Sequence, residues 1–357
     1  MAEKVKERTR GPAIAAHGAS RLPSVIVDSY NIELRDDEGF VGDRANKRAF
    51  REILDLLRKK LRKNGDDPLG NEDTEELTKE QIDGLLAKGD PEAAAMVHGA
   101  IEEFSQDLAA VIRRYLKTKA WRDTERIVVG GGLRRSRVGE LIIGRVSVLL
   151  KSAKVDIEIQ PIRHHPNQAG LIGAGHLAPA WLFKGHDAIL AVDIGGTNIR
   201  VGVVELNLKK SPELEKARVW KGELWRHADE KVKREEAVAE LIGMLERLIR
   251  AANKEKLRLA PFIGIGCPGL IEEDGSIERG AQNLPGNWSG KDFNLPHEIR
   301  DAIPRIGDNE TSILIHNDAV TQGLSEVPFM TDVRHWGILT LGTGLGNARF
   351  TNRNHED

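Results

Sequence analysis

The sequence lacks the features that mark several large protein classes. Its 357 residues contain one cysteine, Cys267, which excludes an internal disulfide and a cysteine-based zinc site and is typical of a reducing compartment. Lys and Arg (53) nearly balance Asp and Glu (55), so no overall field favours nucleic acid or an anionic membrane. No run of 18 apolar residues occurs and residues 1–10 have no apolar core, so we expect no membrane span and no signal peptide. We therefore expect a cytoplasmic protein whose partners are small molecules.

What is present is an alternation of strand and helix patterns in a chain long enough for two domains. β-branched runs predict strands at 24–34, 126–129, 155–160, 189–192, 199–204, 261–268, 313–316, 336–341 and 348–351, and the hairpin region at 199–204 continues through 219–225. Apolar residues at helical spacing predict helices at 44–63, 78–88, 91–118, 139–150, 167–178, 235–252 and 319–326. This order predicts an α/β architecture.

Residues 188–205 predict a β-hairpin with a chemically distinctive tip, which we call the first tip (residues 195–198). The candidate residues for a phosphate together with its metal ion are Asp193, Gly195, Gly196, Thr197 and Asn198. The glycines let the backbone approach a bulky polar group, and the Thr and Asn side chains add hydrogen-bond donors beside free backbone N–H groups. Asp193 would repel a bare phosphate, which favours a Mg²⁺ ion held there directly or through water. The alternative is an ordinary hairpin with a glycine-rich turn.

The same pattern returns near the end of the chain, where residues 336–351 predict a second hairpin. Its glycine tip, the second tip (residues 342–346), contains Gly342, Thr343 and Gly344. A third glycine group, Gly130, Gly131 and Gly132, follows the strand that starts at Arg126 and would let a ligand or another backbone approach. Two hairpins whose glycine tips could bind phosphate therefore flank the α/β segment between them in the sequence.

Polar residues also stand where two other predicted strands end. Asn317 and Asp318 follow the strand 313–316, and Asn283 lies in the polar loop 282–288. Asp318 is a candidate general base, and the alternative is a plain helix N-cap. Cys267 lies at the end of the predicted strand 261–268 and is better explained as a small core residue than as a nucleophile, since no histidine is near it in sequence.

The order of these motifs resembles the sugar kinases of the ROK family, the bacterial glucokinase-like group. The motifs are Asp193-Ile-Gly-Gly-Thr, Cys267-Pro-Gly, Asn283-Leu-Pro-Gly, Asn317-Asp318 and Gly342-Thr-Gly-Leu-Gly. The resemblance implies a two-domain actin-like (ribonuclease H-like) fold with a nucleotide cleft between the domains, and a glucokinase-like ATP:sugar phosphotransferase activity. It implies that Asp318 is the catalytic base, that Asn317 and Asn283 bind sugar hydroxyls, that Gly130–Gly132 lie near the adenosine, and that the two tips bind ATP with Mg²⁺.

The matching parts stand in an unusual order. Residues 187–350 look like the first half of a ROK kinase and residues 75–178 like its second half, so we interpret the chain as a circular permutant. We expect a larger domain formed by residues 1–185, completed by residues 331–357, and a smaller domain at 186–330.

The sequence departs from the family in two respects. It lacks the Cys-rich zinc motif, so we expect no structural zinc, and it lacks the Gly-Glu-x-Gly-His stretch whose Glu and His contact sugar. His17, Glu33 and His355 flank the permuted join and are candidate replacements, although solvated loop residues are the simpler interpretation. The missing contacts also keep open a non-catalytic sugar- or nucleotide-sensing protein. A homodimer is expected, although nothing in the sequence fixes the oligomer.

Overall fold

The computed structural model describes residues 15–88, 90–132 and 136–353. Its α-helices are α1 (Lys47–Arg62), α2 (Lys79–Lys88), α3 (Pro91–Lys117), α4 (Arg137–Ser152), α5 (Pro166–Gly173), α6 (Arg234–Lys254), α7 (Leu295–Ala302) and α8 (Asp318–Leu324). Its strands are β1 (Val25–Tyr30), β2 (Arg35–Asp36), β3 (Gly39–Phe40), β4 (Arg126–Gly131), β5 (Glu158–Pro161), β6 (Ala188–Ile194), β7 (Ile199–Glu205), β8 (Arg218–Trp225), β9 (Leu259–Cys267), β10 (Arg305–Ile306), β11 (Asn309–Glu310), β12 (Ser312–Asn317), β13 (His335–Leu341) and β14 (Leu345–Asn352).

Strands and helices alternate, which confirms the predicted α/β class. The predicted helix at 167–178 is shorter than expected, because α5 ends at Gly173 and residues 174–177 continue as a 3₁₀ turn. A Cβ on Gly173 would lie 1.7 Å from the Thr321 carbonyl oxygen, so the chain passes very close to a neighbouring helix at this point. The sequence analysis did not predict α7 or the two-residue strands β2, β3, β10 and β11, since their periodic patterns are short.

The strands of the core form two five-stranded mixed sheets. One, the small sheet, has the order β8-β7-β6-β9-β12, and the other, the large sheet, has the order β1-β14-β13-β4-β5. Each sheet has a central strand, β6 or β13, that pairs antiparallel with the next strand of the chain and parallel with a strand on its other side. Each then adds one more antiparallel and one more parallel strand at its edges.

The two sheets therefore share one pattern but differ in how the chain fills it. All five strands of the small sheet come from one continuous segment, residues 188–317, which begins with the central strand β6. In the large sheet, the positions of β6 and β7 are taken by β13 and β14, and the position of β8 is taken by β1. Strand β1 pairs with β14 from Val25 opposite Asn352 to Tyr30 opposite Ala348.

Apolar side chains fill three buried clusters. One covers the large sheet beneath α1, α3 and α4, and another covers the small sheet beneath α6 and α7. The third lies between the sheets, where α5 and α8 pack against each other with residues such as Leu171, Val320 and Phe350. The sheets are thus joined through a shared apolar layer and not only by the connecting chain.

The segment before β1 reaches the small sheet. Gly18 N donates to Ile315 O (3.0 Å), and Ile315 N donates to His17 Nδ1 (3.2 Å), so this segment runs along the open edge of β12. Within the described part of the chain, no helix is long and apolar enough to cross a membrane.

Candidate active site

The tips of the two predicted hairpins meet. The first tip joins β6 to β7 and is closed by a hydrogen bond from Gly195 N to Asn198 O (2.9 Å). The second tip joins β13 to β14 and is closed by one from Gly342 N to Gly344 O (3.0 Å). Both tips are accessible to solvent, and the Thr197 and Thr343 hydroxyl oxygens are 3.0 Å apart. Glycines and hydroxyls that are partly or fully exposed therefore face each other from the two sheets.

A histidine that the sequence analysis missed supports the first tip. His227 is 2% exposed and its Nε2 lies 2.9 Å from the Gly195 carbonyl oxygen. In the same turn, Ala228 N donates to Thr197 O (3.3 Å). The segment after β8 therefore holds the backbone of the first tip through two hydrogen bonds.

Asp193 lies where neighbouring parallel strands end. In the sheet, Asp193 lies opposite Gly266 of β9. The next residue of β9, Cys267, lies opposite Asn317 of β12. Asp193 is 2% exposed, and Arg200 Nη1 donates to its Oδ2 (3.2 Å). Burial raises the pKa of this carboxyl, and the Arg200 guanidinium opposes that shift. A Cβ on Gly170 would lie 2.6 Å from the Asp193 carboxyl carbon, so α5 leaves room for this side chain only because a glycine stands there.

Asp318 is the first residue of α8 and is partly exposed at the same edge of the small sheet. Burial and, to a lesser degree, the negative charge of Asp193 together raise its pKa to about 7. A carboxyl with such a pKa can accept a proton near neutral pH, which is the requirement for a general base.

The alternative interpretation of Asp318 as the helix N-cap is wrong, because Asn317 occupies that position. Asn317 Oδ1 accepts hydrogen bonds from Ala319 N (2.9 Å) and Val320 N (3.4 Å), and its Nδ2 donates to Gly269 O (3.0 Å). Asn317 is 2% exposed. Its amide is thus occupied within the protein and holds Asp318 at the helix start, while its role as a sugar ligand stays a prediction.

Asn283 lies beside the first tip. A Cβ on Gly196 would be 3.0 Å from the Asn283 Cβ, and Asn283 itself is exposed. Its side chain is therefore available to a ligand held between the first tip and Asp318.

The third glycine group forms the end of β4. Gly131 has φ +91°, and a Cβ there would lie 2.3 Å from Leu341 O, so only glycine fits where β4 meets β13. Gly130 is buried, whereas Gly132 lines a cavity of about 900 Å³. Other lining residues are Lys79, Ser136, Ile143, Ile159 and Asn167. Lys79 Nζ donates to Gly132 O (2.5 Å).

A lysine that the sequence analysis also missed stands at the second tip. Lys47 is the first residue of α1, and its backbone N donates to Gly342 O (3.0 Å). Burial lowers the pKa of its ammonium group, and the neighbouring cations Arg51, Lys79 and Arg226 lower it further. Among the described residues, no hydrogen bond or ion pair of the Lys47 ammonium is found. The positive charges of Lys47 and its neighbours would attract an anion bound between the tips.

The remaining candidates lie elsewhere. Cys267 is fully buried in the small-sheet cluster and burial raises its pKa, which agrees with a core residue. Glu33 is exposed and pairs with Arg35 (3.2 Å), and the His17 ring accepts the hydrogen bond from Ile315 described above. His355 lies outside the described residues.

Comparisons with known proteins bear on this site. No protein-family model matches the chain. Over 168 residues, the chain is 31% identical to the glucokinase of Thermotoga maritima, an alignment that covers 46% of this chain and 44% of that protein. The resemblance to ROK-family sugar kinases is confirmed. The chain spans less than half the length of this glucokinase.

Two solved structures are also similar to this chain. A ROK hexokinase from Thermus thermophilus is 23% identical, with a TM-score of 0.32 and 45% of each chain covered. A Listeria monocytogenes protein proposed to be an N-acetylmannosamine kinase is 24% identical, with a TM-score of 0.33, and 46% of this chain and 47% of that chain are covered.

Proposed function

We propose that the protein is an ATP-dependent sugar kinase that transfers the γ-phosphoryl group to a hexose hydroxyl. The observation that carries this proposal is the meeting of the two tips at Thr197 and Thr343, close to an edge that holds Asp193 and Asp318. Phosphoryl transfer requires alignment and charge neutralisation more than covalent chemistry. Two opposed glycine loops with Lys47 beside them meet the first requirement for a polyphosphate, and a carboxyl with a pKa of about 7 meets the need for a base.

In this proposal each residue has one task. Backbone N–H groups and hydroxyls of the two tips hold the phosphates, and the cavity bounded by Gly132 takes the nucleoside. Asn283 binds the sugar, and Asp318 accepts the proton of the attacking hydroxyl. The new O–P bond forms as the bond between the γ-phosphorus and the β–γ bridging oxygen breaks, and ADP leaves. General-base assistance of this kind is typically worth ~100- to 10,000-fold in rate.

The residues present fit a magnesium ion. Two carboxyls, Asp193 and Asp318, are close enough to raise the pKa of the second, and Arg200 is the cation that hydrogen-bonds the first. Mg²⁺ usually binds one or two carboxylates together with substrate phosphates and water, so Asp193 would hold it directly or through water. Bound there, the ion would neutralise charge on the transferred phosphoryl group.

We also propose that the fold is a circularly permuted actin-like fold. The shared strand pattern of the two sheets supports this, since the large sheet matches the small one only if β13 and β14 are counted before β1. Residues 1–185 with 331–357 would form the larger domain and 186–330 the smaller, with the nucleotide cleft between them. The homodimer stays a prediction.

A coupled assay of ADP release over a panel of hexoses and amino sugars tests the function. We expect turnover with at least one sugar, and a loss of at least ~100-fold in Asp318→Ala. Turnover that survives this substitution would contradict the base assignment. Sugar binding without turnover for any sugar would favour the sensing protein instead.

A further inference from the structure

Asn31 follows β1 in a backbone conformation that is uncommon for a residue with a side chain. Its φ is +51°, in the left-handed region, where glycine is the usual residue and asparagine is tolerated. Such a conformation persists when its surroundings determine it strongly.

The surroundings of Asn31 form a buried polar network. Asn31 N donates to Asn347 O (2.9 Å), Ile32 N donates to Asn347 Oδ1 (3.0 Å), and Asn347 Nδ2 donates to Ile32 O (3.0 Å). Asn347 is 1% exposed, and the Tyr115 hydroxyl donates to the same Ile32 O (3.0 Å). The backbone at residue 31 is therefore held from both sides.

The neighbouring Tyr30 connects this turn to residues Ile271 and His316. Its hydroxyl accepts from Ile271 N (3.2 Å) and donates to Ile271 O (3.4 Å). Its ring packs edge-on against His316, the residue before Asn317, with the centroids 5.1 Å apart. The end of β1 thus lies against the loop that begins at Gly269 and against β12, the strand that ends one residue before Asp318.

The Asn31 side chain extends toward that loop. Its Nδ2 is 3.1 Å from the position that a Cβ on Gly280 would take, and the same Cβ would be 2.8 Å from the Gly269 Cα. Gly269 O is the acceptor of the Asn317 amide, and Asn283 stands three residues after Gly280. The Asn31 side chain is partly exposed, and among the described residues its amide has no hydrogen-bond partner.

We propose that the Asn31 amide binds a hydroxyl group of the sugar, from the large-sheet side of the cleft. An amide offers a donor and an acceptor, which matches the neighbouring hydroxyls of a sugar ring. This inference rests on the proposed function, because it assigns the sugar to the space near Asn283 and Asp318. It supplies a contact that the motifs of the sequence did not reveal.

Asn31→Gly tests the amide without disturbing the backbone, since glycine adopts a φ of +51° freely. We expect a three- to tenfold loss of kcat/KM for sugar, as is typical for one neutral hydrogen bond, with the KM for ATP unchanged. The matched control is Asn207→Gly. Asn207 has the same φ of 51°, and its side-chain amide donates to Lys216 O, away from the tips. The control should leave both constants unchanged.

Monodeoxy sugars identify the hydroxyl. For the wild type, removing the contacted hydroxyl should cost the same three- to tenfold, and for Asn31→Gly the same deoxy sugar should carry no further cost. Asn31→Asp keeps the size and the acceptor but loses the donor, and it serves if the glycine variant does not fold. A wild-type kcat/KM for sugar in a folded Asn31→Gly protein would overturn the inference, as would an equal rise in the KM for ATP.

Thermal stabilisation by the sugar without ATP separates the two proposals. If the wild type is stabilised by a sugar but does not turn it over, the kinase proposal fails while the Asn31 contact can still be measured. If the wild type turns over and the glycine variant keeps full stabilisation by sugar, only the Asn31 inference fails.

Discussion

The hydroxyl oxygens of Thr197 and Thr343 lie 3.0 Å apart, although the two residues are 146 positions apart in the chain. Each belongs to a hairpin tip of a different sheet, so their contact is the point at which the two sheets face each other across the proposed phosphate site. A change in either hydroxyl should therefore be detected in nucleotide binding before it is detected in folding.

Thr343→Val removes one of these hydroxyls and preserves the side-chain shape. Because Thr343 is exposed, we expect the free energy of unfolding to change by less than ~0.5 kcal/mol. A hydroxyl that donates to a phosphate contributes more than a neutral pair, so the KM for ATP should rise ~10-fold or more. Thr343→Ser restores the hydroxyl and should recover most of the affinity. Steady-state kinetics at saturating sugar measures both, and an unchanged KM for ATP in the valine variant would remove Thr343 from the phosphate site.

The pKa of Asp318 predicts a pH dependence of activity. Burial and the charge of Asp193 raise this pKa to about 7, and the base works only when deprotonated. We therefore expect kcat/KM for sugar to rise with pH below about 7 and to level off above it. A flat profile between pH 5.5 and 8 at roughly constant ionic strength would contradict the assignment.

The same group links pH to stability. A carboxyl whose pKa is higher in the folded state stabilises the protein at pH below its unfolded pKa, and this contribution is lost as pH rises through the folded pKa of about 7. In Asp318→Asn, urea unfolding at several pH values should show a smaller loss of stability between pH 4 and 7 than the wild type, roughly in line with this linkage. An equal loss in both proteins would mean that another group titrates.

Lys47→Ala tests the cation at the second tip. We expect the KM for ATP to rise ~10-fold or more and to depend less on salt than in the wild type, since a charged contact to phosphate is lost. The KM for sugar should stay the same. Lys60→Ala is the matched control, because Lys60 is exposed on the same helix at its other end. Equal effects of the two variants would indicate only a change in net charge.

Gly173→Ala tests the close approach at the end of α5. The added Cβ would lie 1.7 Å from Thr321 O, so α5 or α8 must shift, at a cost of ~1–3 kcal/mol. Gly84→Ala in α2 adds the same methyl group where no atom lies within 4 Å, and it should stabilise the protein by ~0.5–1 kcal/mol. Denaturant unfolding compares them. If both variants gain stability, the two helices are less closely packed than described.

Local patterns predicted the parts of the site that are local in the chain. The hairpin tips, the glycines after β4 and the position of Asp318 at a strand-to-helix junction were all visible as short motifs. The N-cap alternative for Asp318 stayed open because both Asn317 and Asp318 are good N-cap residues, and only the backbone shows that Asn317 is the one that precedes the helix. Lys47 and Asn31 could not be found from sequence, since their partners Gly342 and Asn347 lie about 300 positions away.

The pairing of β1 with β14 also has a consequence for how the chain folds during synthesis. The small sheet is complete once residue 317 has left the ribosome, because all its strands lie within residues 188–317. The large sheet needs strands from both ends of the described chain, so β1, β4 and β5 emerge first without the central hairpin between them. The edges of β1 and β4 that pair with this hairpin stay unpaired until it has been synthesised, so we expect the large sheet to form later than the small sheet.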